Sequence, residues 1–241
     1  MQAFDAHNHL QKGGTTPPNF ACAPSATCEA DWKVLEEMAN GSPLQIFPGY
    51  GIHPWWAGTE TPGWEERLKD LLAKNYGAFI GESGLDGYRA TRVRGPGFTS
   101  QISILRPQLR LAKTLDRPIV LHCVRAWDEL RECLQEESVR HFAIHRFKGS
   151  PEMASEIMQL GGYISVHLDT LYNRSSSNSI KWMPRSRILV ETDWDGPRVE
   201  GRPMEEEIGE VLRQLAVIWD MTVEATARAT LRNAKEFYRI L

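Results

Sequence analysis

The sequence lacks the features that mark secreted and membrane-bound proteins. Its longest apolar runs, such as PIVLHCV and RILVETD, have the length of a strand and are far shorter than a membrane span. No basic region followed by an apolar stretch opens the chain, so no secretory signal is indicated. The four cysteines form no CxxC pair, which favours a reduced, intracellular protein. We therefore expect a cytoplasmic protein with no membrane contact and no obligate protein partner.

A surplus of charge of one sign is also lacking. The net charge is −3 and the isoelectric point is about 6.2, so any affinity for a polyanion has to come from a local patch or a metal. Internal repeats and low-complexity linkers are absent from the sequence as well. Because 241 residues suit a single α/β barrel, we expect one domain over 1–241.

Apolar, β-rich segments alternate with segments of helical period along the whole chain. The predicted strands cover 3–7, 19–23, 45–52, 78–83, 118–123, 141–145, 162–167 and 187–192, and the predicted helices include 30–40, 63–75, 101–115, 126–137 and 150–161. Several strands are apolar on successive residues, as in a parallel sheet covered on both faces. Eight such units predict an α/β fold, a single (β/α)8 barrel of the TIM type, with an open doubly wound sheet as the competing arrangement.

Histidine is scarce, yet two of its seven copies lie in FDAHNHL near the start of the chain. His7 and His9 end the first predicted strand. Residues two apart on a strand point the same way, so both imidazoles can bind one ion.

Four more groups of ligand type are predicted at the carboxyl ends of other strands: Glu82, His122, His145 and Asp193. These ends converge on one mouth of a (β/α)8 barrel. Imidazole and carboxylate ligands suit Zn²⁺, Mn²⁺ or Mg²⁺. Six ligands exceed the need of one catalytic ion and suffice for two divalent metal ions if Glu82 bridges them.

Other interpretations of these residues remain open at this stage. Glu82 could instead pair with Arg89 or Arg125, and Asp195 competes with Asp193 for the role of ligand. His53 and His167 also lie at predicted strand ends, whereas His141 begins its strand and is interpreted as structural. The Arg- and Gly-rich stretch 87–97 is predicted to be a long flexible loop.

Seven segments of the sequence resemble, in order and spacing, the motifs of TatD-type metal-dependent deoxyribonucleases within the amidohydrolase superfamily. They are FDAHNHL, GIHP, GESGLD, RPIVLHCVRAWDEL, HRFKGS, LGGYISV and ILVETDWDGP. The tail ATLRNAKEFY resembles the closing helix of that family, so the likeness extends over nearly the whole chain.

This resemblance implies a distorted (β/α)8 barrel that hydrolyses phosphodiesters with one to three divalent ions. Carried over to this chain, it implies a first metal held by His7, His9, Glu82 and Asp193, and a second held by Glu82, His122 and His145. Asp193 would also act as general base, and Glu82 would be the other catalytic residue. His53 of the Gly-x-His-Pro motif would position substrate, and Arg125 would contact phosphate.

The sequence departs from the family around the site. Asn8 stands where the family usually has Cys or Thr, and Arg146 stands where Cys is common. Directly after Asp193 the family typically has Ser or Ala and then Pro, whereas this chain has Trp194 and Asp195. We therefore expect a metal-dependent hydrolase that most closely fits a DNA phosphodiesterase. Hydrolysis of an amide, lactone or carboxylic ester is the alternative, and a binding protein with a vestigial site is a third. At the rim, phosphates of the substrate are expected to contact Arg89, Arg92 and Arg94. Its bases are expected to stack on Trp55, Trp56 and Trp194.

Overall fold

The computed structural model describes residues 3–15, 20–42, 45–196 and 203–240. Position 19, where the second predicted strand was expected to begin, lies outside these ranges. Within them eight strands follow one another: β1 (Ala3–Asn8), β2 (Phe20–Pro24), β3 (Gly49–Tyr50), β4 (Phe79–Asp86), β5 (Ile119–Val124), β6 (Phe142–Ile144), β7 (Tyr163–Val166) and β8 (Ile188–Val190). All of their pairings are parallel.

Helices separate most of these strands, and the longest ones cover the outside of the sheet. They are α1 (Glu29–Gly41), α2 (Trp64–Lys74), α3 (Gly87–Thr91), α4 (Phe98–Thr114), α5 (Trp127–Glu136), α6 (Pro151–Gln159), α7 (Leu168–Tyr172), α8 (Arg174–Trp182), α9 (Met204–Trp219) and α10 (Val223–Tyr238). Helix α6 begins as the sequence predicts, because the Ser150 side chain accepts the Met153 N–H and Pro151 occupies the first turn.

The strands form a barrel in sequence order. β1 pairs with β2, and β3 to β8 form one continuous sheet. Single bridges between Cys22 and Ile46 and between Ser25 and Gly49 join the two sheets. On the other side, the Asp193 N–H donates to His7 O at 3.0 Å and the His9 N–H to Trp194 O at 2.6 Å. The predicted (β/α)8 barrel is therefore confirmed, with irregular seams.

Asp5 strengthens the seam between β8 and β1. Its buried carboxylate accepts the Thr192 N–H at 3.0 Å and the Thr192 hydroxyl at 2.6 Å. It also accepts the Asn8 amide at 3.1 Å. Asn8, the departure between the two histidines, thus helps to fix the start of the site and does not face substrate.

Two apolar layers hold the barrel together. Residues from seven of the strands join an inner cluster: Phe4, Ala6, Ala23, Phe79, Val120, Ala143, Tyr163 and Leu189. Phe237 and Tyr238 at the end of α10 pack into the same cluster, while the larger cluster joins the strands to the surrounding helices. The last helix therefore closes one end of the barrel and leaves the other end for a site.

Three sequence predictions need correction. The strand expected over 45–52 is regular only at Gly49–Tyr50. The stretch 87–97 contains the short helix α3, which Asp86 caps by accepting the Arg89 N–H. Glu82 does not end its strand, because β4 continues to Asp86 after a shift of register between Ile80 and Ser83.

No helix in the described part of the chain is long and apolar enough to cross a membrane. Assignment of 1–241 to one domain remains a proposal. It is supported by the larger apolar cluster, which includes residues from Ala3 to Ala227. The cytoplasmic location remains a prediction.

We predict that Tyr238→Phe lowers the free energy of unfolding by about 1 kcal/mol, because the buried Tyr238 hydroxyl donates to the Ala6 carbonyl at 2.5 Å. Urea unfolding measures the change. Tyr172→Phe, on a ring that is 68% exposed, is the control and should leave the midpoint unchanged. An equal effect of both substitutions would contradict the role of this bond.

Candidate metal centre

The carboxyl ends of the strands surround a cavity of about 1280 Å³. Five imidazoles and several carboxylates lie at its floor, and the buried groups among them include His7, His9, His53, Glu82, Asp86 and His145. The strand order places them together although they are far apart in sequence, as expected at this end of a barrel.

Glu82 lies at the centre of this group. Its Oε2 atom faces β1 and lies 3.4 Å from His7 Nε2 and 3.3 Å from His9 Nε2. Its Oε1 atom faces the other way, 3.0 Å from His122 Nδ1 and 2.9 Å from His145 Nε2. One carboxylate thus divides the histidines into two pairs.

Ser25 fixes the orientation of the first pair. Its carbonyl lies 2.9 Å from His9 Nδ1, so that nitrogen donates and the neutral ring presents a lone pair at Nε2. Its hydroxyl lies 3.1 Å from His7 Nδ1. Both Nε2 atoms therefore point towards the carboxylates of Glu82 and Asp193.

Two outer carboxylates orient the second pair in the same way. Asp86 Oδ2 lies 3.3 Å from His122 Nε2, and Glu191 Oε1 lies 3.5 Å from His145 Nδ1. An outer acid that takes the N–H of a histidine leaves the inner nitrogen free to bind a metal. Asp86 also accepts the indole N–H of Trp55 at 2.6 Å.

The two oxygens of Asp193 have different partners. Oδ1 lies 3.6 Å from both His7 Nε2 and His9 Nε2. Oδ2 accepts a hydrogen bond from Arg146 Nη1 at 2.8 Å. Asp193 has a φ of +49° and Arg146 a φ of +44°, so the chain turns sharply where it presents this pair.

His53 differs from the other histidines in its hydrogen bonds. Its Nδ1 accepts the Trp55 N–H at 3.1 Å, so the neutral ring carries its hydrogen on Nε2. That Nε2 lies 3.1 Å from Glu82 Oε1 and is placed to donate to it. Although His53, Glu82 and His122 lie close enough to hold an ion, this tautomer makes His53 a hydrogen-bond donor and a poor metal ligand.

Burial and the close approach of these groups both shift their pKa values. Burial alone would raise the pKa of Glu82, but His53 and His145 beside it hold that pKa well below its usual range. Burial lowers the pKa of His53 to about 4, against the attraction of Glu82. The site therefore holds an ionised carboxylate and a neutral His53 at neutral pH.

The donor set fits divalent ions. His7 Nε2 is buried and has no hydrogen-bond partner among the described residues. His9 Nε2 presents a lone pair to Glu82 Oε2, and two acceptors do not attract each other unless a cation or a proton lies between them. Imidazole nitrogens and carboxylate oxygens are the ligands that Zn²⁺ and similar ions take.

Most of the predicted site residues meet here: His7, His9, His53, Glu82, His122, His145 and Asp193. The proposed pairing of Glu82 with an arginine is wrong, since imidazoles surround its carboxylate. Arg89 instead lies 4.2 Å from the Trp55 ring, and Arg125, which lines the cavity, lies over Tyr88 at 5.4 Å.

Three other residues lie elsewhere. His167 is at a strand end, but its Nδ1 accepts the Asp169 N–H and its Nε2 faces Glu207 at 3.6 Å. His141 Nε2 lies 2.7 Å from the Phe237 carbonyl, which agrees with a structural role. Trp194 packs against the core, in a space that only the lack of a side chain at Gly14 allows, so it is not a rim residue for base stacking.

Sequence reasoning missed Asp86, Glu191 and the role of Arg146. Asp86 lies four residues after Glu82 on one strand, a spacing that puts both on the same face. Glu191 precedes Asp193 by two residues, and it also accepts the Arg146 N–H at 2.5 Å. Arg146 was noted only as a departure from the family, and its sequence position does not reveal its acidic partners.

The chain is similar in sequence and in fold to known proteins. The family described as TatD related DNase matches residues 4–239. YabD, an uncharacterized metal-dependent hydrolase of Bacillus subtilis, is 30% identical over 205 residues, which are 81% of this chain and 78% of the relative. Human deoxyribonuclease TATDN3 is 27% identical over 214 residues, with shares of 85% and 77%. The structure of Escherichia coli YJJV, a TATD homolog, superimposes with a TM-score of 0.84 over 100% of this chain and 99% of that chain at 24% identity, which supports the same fold.

We predict that Ser25→Ala weakens the affinity for Mn²⁺ or Zn²⁺ about tenfold, because it removes the hydroxyl that orients His7. Titration calorimetry on chelator-treated protein measures the affinity. Ser165→Ala is a matched control, since Ser165 is equally buried but its hydroxyl has no partner among the described residues. Equal affinities in wild type and Ser25→Ala would show that this contact does not support a metal ligand.

Proposed function

The chain belongs to the family of TatD-related DNases, whose members include metal-dependent hydrolases, and we propose that it hydrolyses phosphodiester bonds in DNA. The division of the imidazoles by Glu82 supports this proposal most strongly. Two groups of ligands on either side of one carboxylate suit a two-metal centre, and such centres stabilise both the attacking and the leaving oxygen of a phosphodiester.

We assign the metal ligands in the way that the resemblance to the family implies. His7, His9, Glu82 and Asp193 would hold one ion, and Glu82, His122 and His145 the second. The ions would supply positive charge that lowers the pKa of a water and neutralises phosphate oxygens. Zn²⁺, Mn²⁺ and Mg²⁺ are the candidates, since the nitrogen and oxygen ligands accept each of them.

Asp193 is proposed to be the general base. Its carboxylate faces the same space as His7 and His9, and its Oδ2 stays on Arg146. Burial would raise the pKa of Asp193, but the neighbouring His145 and His7 lower it. The ionised carboxylate can take a proton from an attacking water.

His53 is proposed to contact the substrate through its Nε2–H. A neutral imidazole whose second nitrogen is held by a backbone N–H has a fixed donor. That donor points to Glu82 Oε1 and could turn to a phosphoryl oxygen as substrate enters, which agrees with a positioning role. Arg125 lines the same cavity and remains a proposed phosphate contact.

The rim of the cavity suits a nucleotide. Trp55, Trp56 and Tyr88 are each 44–46% exposed and line the cavity beside His53. Aromatic rings of this kind stack on bases with little dependence on their sequence. Trp194 does not take part, because it packs against Gly14.

We predict that the protein cuts a labelled DNA oligonucleotide with Mn²⁺ or Mg²⁺ and that Asp193→Asn lowers kcat about 100-fold or more. His122→Ala should also abolish most of the cutting, since it removes a proposed metal ligand. Gel analysis of the products measures the rate. Asp195→Asn, which changes an acid two residues away, is the matched control and should retain most activity.

The same assay includes an RNA oligonucleotide and a panel of lactones, amides and carboxylic esters. Turnover of one of these with no cutting of DNA would replace the proposed substrate and keep the metal-dependent hydrolase. Cutting of DNA that is unchanged in His122→Ala and Asp193→Asn would contradict the assigned centre.

A further inference from the structure

Arg146 and Lys148 form a cationic pair on the wall of the cavity, beside the proposed hydrolytic site. Both side chains line the cavity, together with Asp193. Their side chains are 43% and 49% exposed, so water or a ligand can reach them.

A single carboxylate behind the pair holds the two cations together. Asp169 Oδ2 accepts from Arg146 Nη2 at 2.7 Å and from Lys148 Nζ at 2.9 Å. Asp169 does not line the cavity, whereas both cations do. The arrangement therefore places the acid behind the pair and the positive groups towards the cavity.

The unused donors of this group favour an anion. Burial would raise the pKa of Asp169, but hydrogen bonds from Arg146 and Lys148 lower it, so the carboxylate is ionised at neutral pH. Asp169 and Asp193 balance the charges of the two cations, so the pair offers a ligand its free N–H groups and not a net charge. A guanidinium has five N–H donors and an ammonium three, of which the described contacts of these side chains use two and one.

Asp193 lies between the cationic pair and the proposed metal centre. One oxygen of that carboxylate faces His7 and His9, and the other lies on Arg146. The cations therefore lie one carboxylate away from the proposed centre, close enough for one substrate to touch both. Lys148 is the more distant of the two and touches no proposed metal ligand in the described contacts.

We propose that Arg146 and Lys148 form a subsite for a second phosphate of the substrate, adjoining the phosphodiester that is cleaved. The inference rests on the proposed function. It means that the preferred substrate of the protein carries at least two phosphates. An arginine presents paired N–H groups that match phosphate oxygens, and a lysine adds a mobile point charge. Substrates with one phosphate would reach the metal centre without this contact.

The test uses two kinds of substrate. One is a dithymidine that contains a single phosphodiester, and the other is the same molecule carrying an additional 5′- or 3′-terminal phosphate. We expect the terminal phosphate at one end to lower KM about tenfold in the wild type, as a charge-assisted contact would. Lys148→Gln should remove most of this advantage while the KM of the monophosphate substrate stays the same. Lys148→Arg should restore it, and Lys69→Gln, on a lysine that is not part of the cavity lining, should have no effect.

An equilibrium measurement separates binding from turnover. Thymidine 3′,5′-bisphosphate and thymidine 5′-monophosphate contain no phosphodiester, so calorimetry with Mn²⁺ measures their affinities without hydrolysis. The bisphosphate should bind more tightly to the wild type, and the difference should vanish in Lys148→Gln.

The possible failures are distinguishable. Absence of cutting of every oligonucleotide would overturn the proposed function. Cutting with equal KM for dithymidine with and without a terminal phosphate would overturn the subsite alone. An advantage that Lys148→Gln leaves intact would do the same.

Discussion

The interaction on which the site depends is the contact of one buried carboxylate with five imidazoles. Glu82 is 2% exposed, and its two oxygens face different histidines. An ionised group without a charged or hydrogen-bonded partner is costly at such a position. The barrel supplies those partners, because the histidines on or directly after β1, β5 and β6, together with His53 after β3, point at the two oxygens of Glu82 on β4. Two cations between these groups would satisfy the remaining lone pairs, in agreement with the proposed two-metal centre.

A serine and two acids outside the cluster make that contact specific. Ser25 lies beside the outer nitrogens of His7 and His9, and Asp86 and Glu191 lie beside those of His122 and His145, so the inner nitrogens face Glu82. The same logic separates His53 from the ligands, because its outer nitrogen accepts a backbone N–H. Proximity alone would count His53 among the ligands, whereas its hydrogen bonds give it the role of a donor to substrate. Arg146 connects these groups to the cavity wall, because it donates hydrogen bonds to both Asp193 and Asp169.

Much of the fold and of the cluster of candidate ligands could be predicted from the sequence, since both depend on local patterns. Apolar runs at regular spacing predict strands, and strand order brings His7, His122 and His145 together. The extension of β4 beyond Glu82 could not be predicted, because it depends on a register shift against β5. Asp86 and Glu191 were also missed. Their role is visible only when β4 and the residues after β8 are seen beside the histidines. The packing of Trp194 depends on the absent side chain of Gly14, a contact between distant loops.

The most direct measurement of the central claim is anomalous scattering from crystals grown with Mn²⁺. The account predicts two peaks on opposite sides of Glu82, one beside His7, His9 and Asp193 and the other beside His122 and His145, with His53 bound to neither. A single peak that Glu82 does not touch, or a peak bound to His53 Nε2, would contradict it.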